Sequence, residues 1–322
     1  MRVYDAAQIT AAVTVGQLLD AVEAAFRDVA AGRDQSPLRF HVPLGNGDLL
    51  LMPGVREGGS GSSVKLVTVL PNNAARGLPT VQAVVVWFDR ESGTPVAVLD
   101  GRTLTAMRTG AASGVATRLL AREDAAVLAM LGTGAQAAWQ VRAVIAARPI
   151  RELRVFSRDA AARQRFAAEM ARELGDGVRV TAAESAQAAV LAADVVCCAT
   201  TSSQPVFDAG WLRPGAHVNG VGAFRLGMIE LPPELFARAA LVAVDSRDAA
   251  LAEAGDLVAA IDGGFLGEDS FVEIGTVDRT WTPARDPEAI TVFKSVGLAI
   301  QDVAAAELVL RQTAPREGGA LG

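Results

Sequence analysis

Residues 15–31 (VGQLLDAVEAAFRDVAA) place Leu18, Leu19, Val22, Ala25, Phe26 and Val29 three and four positions apart, the spacing of one apolar stripe on a helix. Behind that helix come short β-type runs at 38–44, 48–52, 64–70, 81–88 and 96–99. The turn-forming stretches Gly45-Asn46-Gly47-Asp48 and Glu91-Ser92-Gly93-Thr94-Pro95 between them predict antiparallel hairpins. Residues 57–63 (EGGSGSS) read as a flexible loop. The pattern changes near residue 120. Near-continuous apolar runs at 126–131, 153–156, 194–199, 216–221 and 241–245 now alternate with Ala-rich helical stretches such as 135–147 and 159–173. Such alternation predicts a parallel sheet covered on both faces. Residues 292–310 carry Val292, Val296, Ala299, Val303, Ala306 and Leu310 at four–three spacing, which predicts one long helix placed to return to the first region. Residues 313–322 (TAPREGGALG) read as a frayed tail.

Composition narrows the function classes. At 322 residues the chain is sized for about two domains. Hydrophobic residues at 51% supply a core, and 20% charged residues are ordinary for a globular protein. A net charge of −6 argues against nucleic acid as a partner. Two cysteines and two histidines are too few for a disulfide framework or a zinc cluster. Residues 1–5 form no apolar leader core, and no run approaches the roughly 18 apolar residues of a membrane span. The expectation is a cytoplasmic protein without a metal and without a membrane partner.

The run at 126–131 leads into Gly132-Thr133-Gly134-Ala135-Gln136-Ala137 and then a helical stretch, the G-x-G-x-x-G/A dinucleotide fingerprint in its strand–turn–helix context. Gly132 permits the tight turn, Gly134 lets the backbone approach a pyrophosphate, and Ala137 keeps the helix close to the strand. The next strand ends in Ser157-Arg158-Asp159, with Arg163 one turn on. A hydroxyl and a guanidinium suit a ribose 2′-phosphate, whereas Asp159 could instead take the 2′-hydroxyl. NADP(H) is therefore the first choice of cofactor and NAD(H) the second. The fold class expected is α/β, with a Rossmann domain over 119–298 and a discontinuous α+β substrate and dimerisation domain from 1–118 and 299–322.

Three basic residues of the first region draw attention for other reasons. Lys65 interrupts an apolar run and shares its face with Val67 and Val69. Arg108 shares a helical stripe with Ala111, Ala112, Val115 and Leu119, which points its guanidinium inward. Arg39 alternates with Leu38 and Phe40, beside His41, and periodicity alone places it in solvent. Structural ion pairs would explain Lys65 and Arg108; a pocket for a small carboxylate would explain all three. Clustered cations would depress the lysine pKa and make Lys65 a candidate proton donor or base. The small residues of 108–114 (RTGAASG) let a flat ring or a second backbone approach closely. Cys197, Cys198 and His217 read as core, His41 as a weaker acid candidate, and Trp87 and Phe88 as core or dimer contacts.

Read in order, the Arg39 run and residues 64–86 (VKLVTVLPNNAARGLPTVQAVVV), 108–116 (RTGAASGVA), 131–137 (LGTGAQA), 221–231 (VGAFRLGMIEL), 244–256 (VDSRDAALAEAGD) and 291–302 (TVFKSVGLAIQD) resemble the ornithine cyclodeaminase/mu-crystallin family. The resemblance spans about residues 36–311. It implies a Rossmann domain, a discontinuous substrate domain, and sheets that join across a homodimer. It also implies that Arg39, Lys65 and Arg108 hold a substrate carboxylate near the nicotinamide, with Thr80 close to the substrate. Thr109 and Val221 match positions around the cofactor, and Ser295, Gly297 and Asp302 are further candidates, Asp302 as orienter of Lys65 or as a helix stabiliser. One departure decides the activity implied. Cyclodeaminases of the family carry an aspartate where Phe224 stands in 221–228 (VGAFRLGM), and phenylalanine cannot accept a proton or hold an ammonium group. The resemblance therefore implies an imine (ketimine) reductase. Its substrate would be a cyclic imino acid, with a 2-oxo acid plus an amine as the alternative pair. Phe224 and Met228 are expected to line the pocket. Amino-acid dehydrogenase, N-alkyl amino-acid reductase, cyclodeaminase and non-catalytic NADPH-dependent ligand binding remain the alternatives.

Overall fold

A computed structural model of the chain describes residues 1–278 and 286–314. The tail expected at 313–322 lies, from 315 on, outside the described residues, while Thr313 still belongs to the last helix. The first region holds β1 (Arg2–Tyr4), α1 (Ala6–Ala12), α2 (Val15–Ala30), β2 (Phe40–Pro43), β3 (Asp48–Val55), β4 (Gly61–Val69), β5 (Val81–Asp89), β6 (Pro95–Asp100) and α3 (Gly101–Leu120). Its strands form one six-stranded sheet in the order β1-β6-β5-β4-β3-β2. The hairpins from β2 to β6 are antiparallel, as their turns demand, and β1 joins β6 in parallel. Along β4 burial alternates strictly, which turns Ser63, Lys65, Val67 and Val69 to one inner face. The segment 57–63 is not all loop, because β4 begins at Gly61. A methyl there would run into the Trp87 ring, so the glycine reflects close packing of β4 on β5 and not flexibility.

The second region alternates strand and helix: β7 (Val127–Leu131), α4 (Ala137–Ala147), β8 (Glu152–Phe156), α5 (Ala160–Leu174), β9 (Arg179–Ala182), α6 (Ala186–Val190), β10 (Val195–Cys198), β11 (His217–Gly220), α7 (Pro233–Arg238), β12 (Ala239–Val244), α8 (Arg247–Glu253), α9 (Gly255–Asp262), β13 (Val272–Glu273), β14 (Ile290–Lys294) and α10 (Ala299–Thr313). All eight strands are parallel, in the order β13-β12-β14-β11-β10-β7-β8-β9. This is a Rossmann sheet. The chain runs outward from β7 in one direction and from β10 in the other, so the crevice where such sheets bind ligands opens at the carboxyl ends of β7 and β10.

The long helix expected over 292–310 is two elements. Residues Ile290–Lys294 are a fully buried strand between β11 and β12, and the helix begins at Ala299. A strand buried on both faces is apolar at every position, so Val292 fell into helical spacing with Val303 by coincidence. From there α10 packs on α2, α3, β3 and β4 of the first region. The small-residue stripe of α3 admits a second backbone. Methyl groups at Gly110 and Gly114 would collide with Trp139 and crowd Ala143 of α4, clamping the two regions together.

Cys197, Cys198, His217 and Trp87 are buried as core, while Phe88 is only partly buried. Burial pushes the Cys197 thiol up to about 12 and Cys198 well above its ordinary value. His217 lies between Thr291 Oγ1 (2.9 Å) and Asn219 Oδ1 (3.1 Å), and burial pushes it down to about 3, so it is neutral. Among the described residues no single helix is long and apolar enough to cross a membrane.

Candidate active site

At the crevice, β7 enters the glycine turn. Gly132 has φ +105°, its N–H donates to the Phe156 carbonyl at 2.9 Å, and a Cβ there would meet the Ala199 carbonyl at 2.6 Å. Gly134 differs: a Cβ on it would face empty space. Thr133, Gly134, Ala135 and Gln136 form a rim ahead of α4. The Ala137 N–H is taken by the Gly134 carbonyl at 3.0 Å, and Gln136 at the N-cap makes no side-chain cap bond, so no side chain competes with an anion for the amides that follow. The bare glycine and the uncapped helix fit a pyrophosphate.

The end of β8 is more committed than its sequence implied. Asp159 Oδ1 accepts the Ala162 N–H and caps α5, which holds its carboxyl below the usual range. Arg163 folds back: its Nη1 donates to the Ser157 carbonyl at 2.8 Å and its guanidinium lies over the Phe156 ring. Of the residues expected to hold the adenosine ribose, Ser157 and the exposed Arg158 keep free side-chain positions, and Arg163 braces the turn beneath them.

A pocket with about 550 Å³ of free space opens beside this turn, lined by Lys65, Arg108, Thr105, Thr109, Gln136, Val221, Phe224, Ser295, Val296 and Gly297 and by Leu50, Val67, Val69 and Val81. Its floor is charged. Lys65 Nζ lies 2.7 Å from Asp302 Oδ2, and Arg108 Nε donates to Asp302 Oδ1 at 3.1 Å. Arg108 Nη1 donates to Gln301 Oε1 at 2.7 Å. All four side chains are buried. Burial above all, then the positive charge of Arg108, pushes the Lys65 ammonium down to about 7 against the pull of Asp302. The first turn of α10 thus orients both cations, and Asp302 does so by bridging them. Gly297, at φ +85°, passes directly over the Arg108 guanidinium, where a Cβ would overlap Nη1.

Arg39 behaves differently from both readings of its sequence. Its side chain is only 6% exposed, not solvated. Yet it lines an adjoining cleft with Met52, Glu253 and Leu298, and Gly297 is a wall common to both cavities. Its Nε pairs with Glu253 Oε2 at 3.0 Å, and its Nη2 donates to the carbonyls of Val296 (2.7 Å) and Gly297 (2.6 Å). Residue 39 precedes β2, so strand alternation does not govern it. Asp245, at the end of β12, accepts the Ser295 hydroxyl (2.7 Å) and the N–H groups of Val296 (2.9 Å) and Gly297 (2.7 Å) from the other side. Asp302 takes the place expected of it beside Lys65, and ion pairs and the carboxylate pocket coexist. Arg39, Lys65 and Arg108 are offset by Glu253, Asp302 and Asp245, because bare charges at this depth would be too costly.

Other expected residues divide. Thr109, Val221, Phe224, Ser295 and Gln136 line the pocket, although the Ser295 hydroxyl is spent on Asp245. Thr80 does not: its carbonyl accepts the Leu70 N–H at 2.8 Å, and Val81 forms the wall there. Met228 is buried, with its carbonyl packed over Gly255. His41 lies half-exposed, 3.8 Å from Glu253 and outside the pocket. Sequence reasoning missed Glu253, Asp245, Gln301 and Thr105, whose hydroxyl is buried at the pocket without a partner. It also missed Glu230, which accepts the amides of Thr200, Gly222 and Ala223 and so fixes the loops after β10 and β11.

Comparison with known proteins fits this geometry. The sequence profile described as the ornithine cyclodeaminase/mu-crystallin family matches residues 2–316. A Delta(1)-pyrroline-2-carboxylate reductase of Bacillus cereus is 37% identical over 311 residues, 95% of each chain. Ketimine reductase mu-crystallin of Mus musculus is 38% identical over 297 residues, 91% of this chain and 90% of its own. The solved Delta(1)-pyrroline-2-carboxylate reductase of Thermococcus litoralis, in complex with NADH and L-proline, superposes with a TM-score of 0.92 at 34% identity over 97% of both chains.

Proposed function

The chain belongs to the ornithine cyclodeaminase/mu-crystallin family, and from that membership we propose that it is an NAD(P)H-dependent oxidoreductase acting on C=N bonds: an NADPH-dependent reductase of cyclic ketimino acids. Its substrates are Δ1-pyrroline-2-carboxylate or Δ1-piperideine-2-carboxylate and its products L-proline or L-pipecolate. The observation that carries the reading is the buried Lys65–Asp302–Arg108 bridge, placed beside the dinucleotide turn in a pocket with one aliphatic wall of Leu50, Val67, Val69 and Val81. The relatives named above act on, or are solved with, molecules of this class.

The residues divide the work. Arg108 and Lys65 receive the substrate carboxylate, and the guanidinium supplies paired donors for it. Arg39 acts from behind, gripping the turn at Val296 and Gly297 that seats Arg108. Leu50, Val67, Val69 and Val81 exclude water from the ring carbons. When bound, the reduced nicotinamide supplies the hydride for the imine carbon. Lys65, held near neutrality, supplies the proton that the imine nitrogen must gain, directly or through one water. Because each cation already has a carboxylate, a protonated imine is not expelled from the site. The backbone at Gly132, Thr133, Gly134, Ala135 and Gln136 would hold the pyrophosphate. Ser157 and Arg158 would hold a 2′-phosphate, since the nearby carboxylate of Asp159 is occupied in capping α5. The outer edge strand β2, with Phe40 and Val42 exposed, supports assembly as a homodimer, and the compartment proposed is the cytoplasm.

The assay is oxidation of NADPH with each cyclic imine, run beside pyruvate with ammonia or methylamine. Turnover of at least one cyclic imine, faster than of the open-chain pairs, is expected. No turnover of either ring across pH 5–9 would reject the assignment.

A further inference from the structure

The wall opposite the charged floor is one side chain held from three directions. Phe224 packs at once on the core of the parallel sheet and on Leu50, Val67 and Val69 of the other sheet. Beneath it the backbone is pinned. Lys294 Nζ donates to the Ala223 carbonyl at 2.7 Å and pairs with Asp256 at 2.6 Å, while Glu230 Oε1 accepts the Gly222 N–H at 2.6 Å. Above it Arg225 lies over the ring, 5.3 Å from its centre, and reaches across the mouth to Asp48 Oδ2 at 2.7 Å. Asp48 opens β3, two residues before Leu50 on the same strand face and paired in register with Val69. The ion pair thus ties the loop after β11 to the rim of the opposite sheet, with Phe224 clamped between.

We propose that Phe224 is the specificity-determining residue that limits the size of the substrate's carbon skeleton, and that Arg225 and Asp48 are its positioning residues. The inference rests on the imino-acid reading above and deepens it. A ring at this place cannot retreat downward, because the backbone just before it, at Gly222 and Ala223, is bonded to buried Lys294 and Glu230, nor outward, because Arg225 covers it. The substrate class is a compact 2-carboxylate cyclic imine with an uncharged aliphatic ring. The walls around that ring, Leu50, Val67, Val69, Val81 and Phe224, offer no acceptor for a second ammonium group. The five-membered ring is preferred over larger ones.

The test compares kcat/KM for Δ1-pyrroline-2-carboxylate and Δ1-piperideine-2-carboxylate in the wild type, Phe224→Ala, Phe224→Leu, Arg225→Ala and Asp48→Asn. Since one methylene in an apolar pocket changes specificity about tenfold or more, Phe224→Ala is expected to move the ratio toward the six-membered ring by about that factor. Phe224→Leu should move it the same way by less. Arg225→Ala and Asp48→Asn should raise KM for both rings and relax the ratio with kcat little changed, and the exchanged pair Asp48→Arg with Arg225→Asp should restore it. An unchanged ratio in both Phe224 variants, or an equal loss for the two rings, would overturn the proposal. Affinity for L-proline and L-pipecolate, read by thermal shift with NADPH present, gives the same size comparison without turnover. An enzyme that binds both products with the expected discrimination but reduces neither imine would count against the reaction and leave the size limit standing.

Discussion

The two faces of the crevice are built by opposite means. On the dinucleotide side the work falls to backbone: two glycines, an uncapped helix start, and a strand end whose carboxylate caps the next helix. On the substrate side it falls to buried charges, each paired with a residue from a distant part of the chain. Arg108 meets Asp302 and Gln301 across 194 and 193 positions, and Arg39 meets the carbonyls of 296 and 297 across more than 250. The contrast teaches that anion binding by amides tolerates change around it, whereas anion binding by buried side chains depends on every partner.

The hardest test of this contrast is removal of the ammonium. Lys65→Ala should lower kcat for imine reduction by about 10²–10⁴-fold, the usual contribution of a positioned proton donor, while NADPH affinity measured by fluorescence stays near that of the wild type. The sign of the pH dependence follows from the same group. Its ammonium is pushed down to about 7, so kcat/KM should fall as pH rises through that value and the proton is lost. Asp302 holds the proton on, hence Asp302→Asn should begin the fall at lower pH. A flat profile up to pH 9 would remove Lys65 from the role.

A matched pair of glycine changes sharpens the comparison. Gly297→Ala puts a methyl against the Arg108 guanidinium at a left-handed φ, and should cost about 1–3 kcal/mol of stability as well as raise KM for the imine. Gly134→Ala meets open space and should leave the melting temperature nearly unchanged while raising KM for the dinucleotide. Equal effects on the two melting temperatures would erase the distinction between the faces. The smallest change is expected from exposed Arg158. Arg158→Ala should lower the NADPH over NADH preference by about tenfold, the loss of one charge-assisted hydrogen bond, with the imine KM unaffected.

The same division governs what the sequence made readable. The glycine turn, the strand–helix alternation and the hairpins depend on neighbours a few positions apart, and residues 126–137 and 81–99 carry those signals locally. Lys65 and Arg108 could be singled out because a cation on an apolar stripe is costly wherever it occurs. Of their partners, Asp302 was indicated only by the family resemblance and Gln301 not at all, since both look like ordinary polar residues of a helix until α10 docks on α3 and β4. Arg39 misled because residue 39 lies just outside the strand whose alternation was applied to it. The helix placed at 292 misled because a doubly buried strand has no period to read.

Asp302 lies in the first turn of the final described helix, whereas Lys65 and Arg108 come from β4 and α3, made long before it. During synthesis the strand and helix bearing the two cations are made first, and burying either side chain requires the carboxylate that α10 brings. Burial of the two cations is thus coupled to the docking of α10, whose Asp302 lies 194 positions after Arg108.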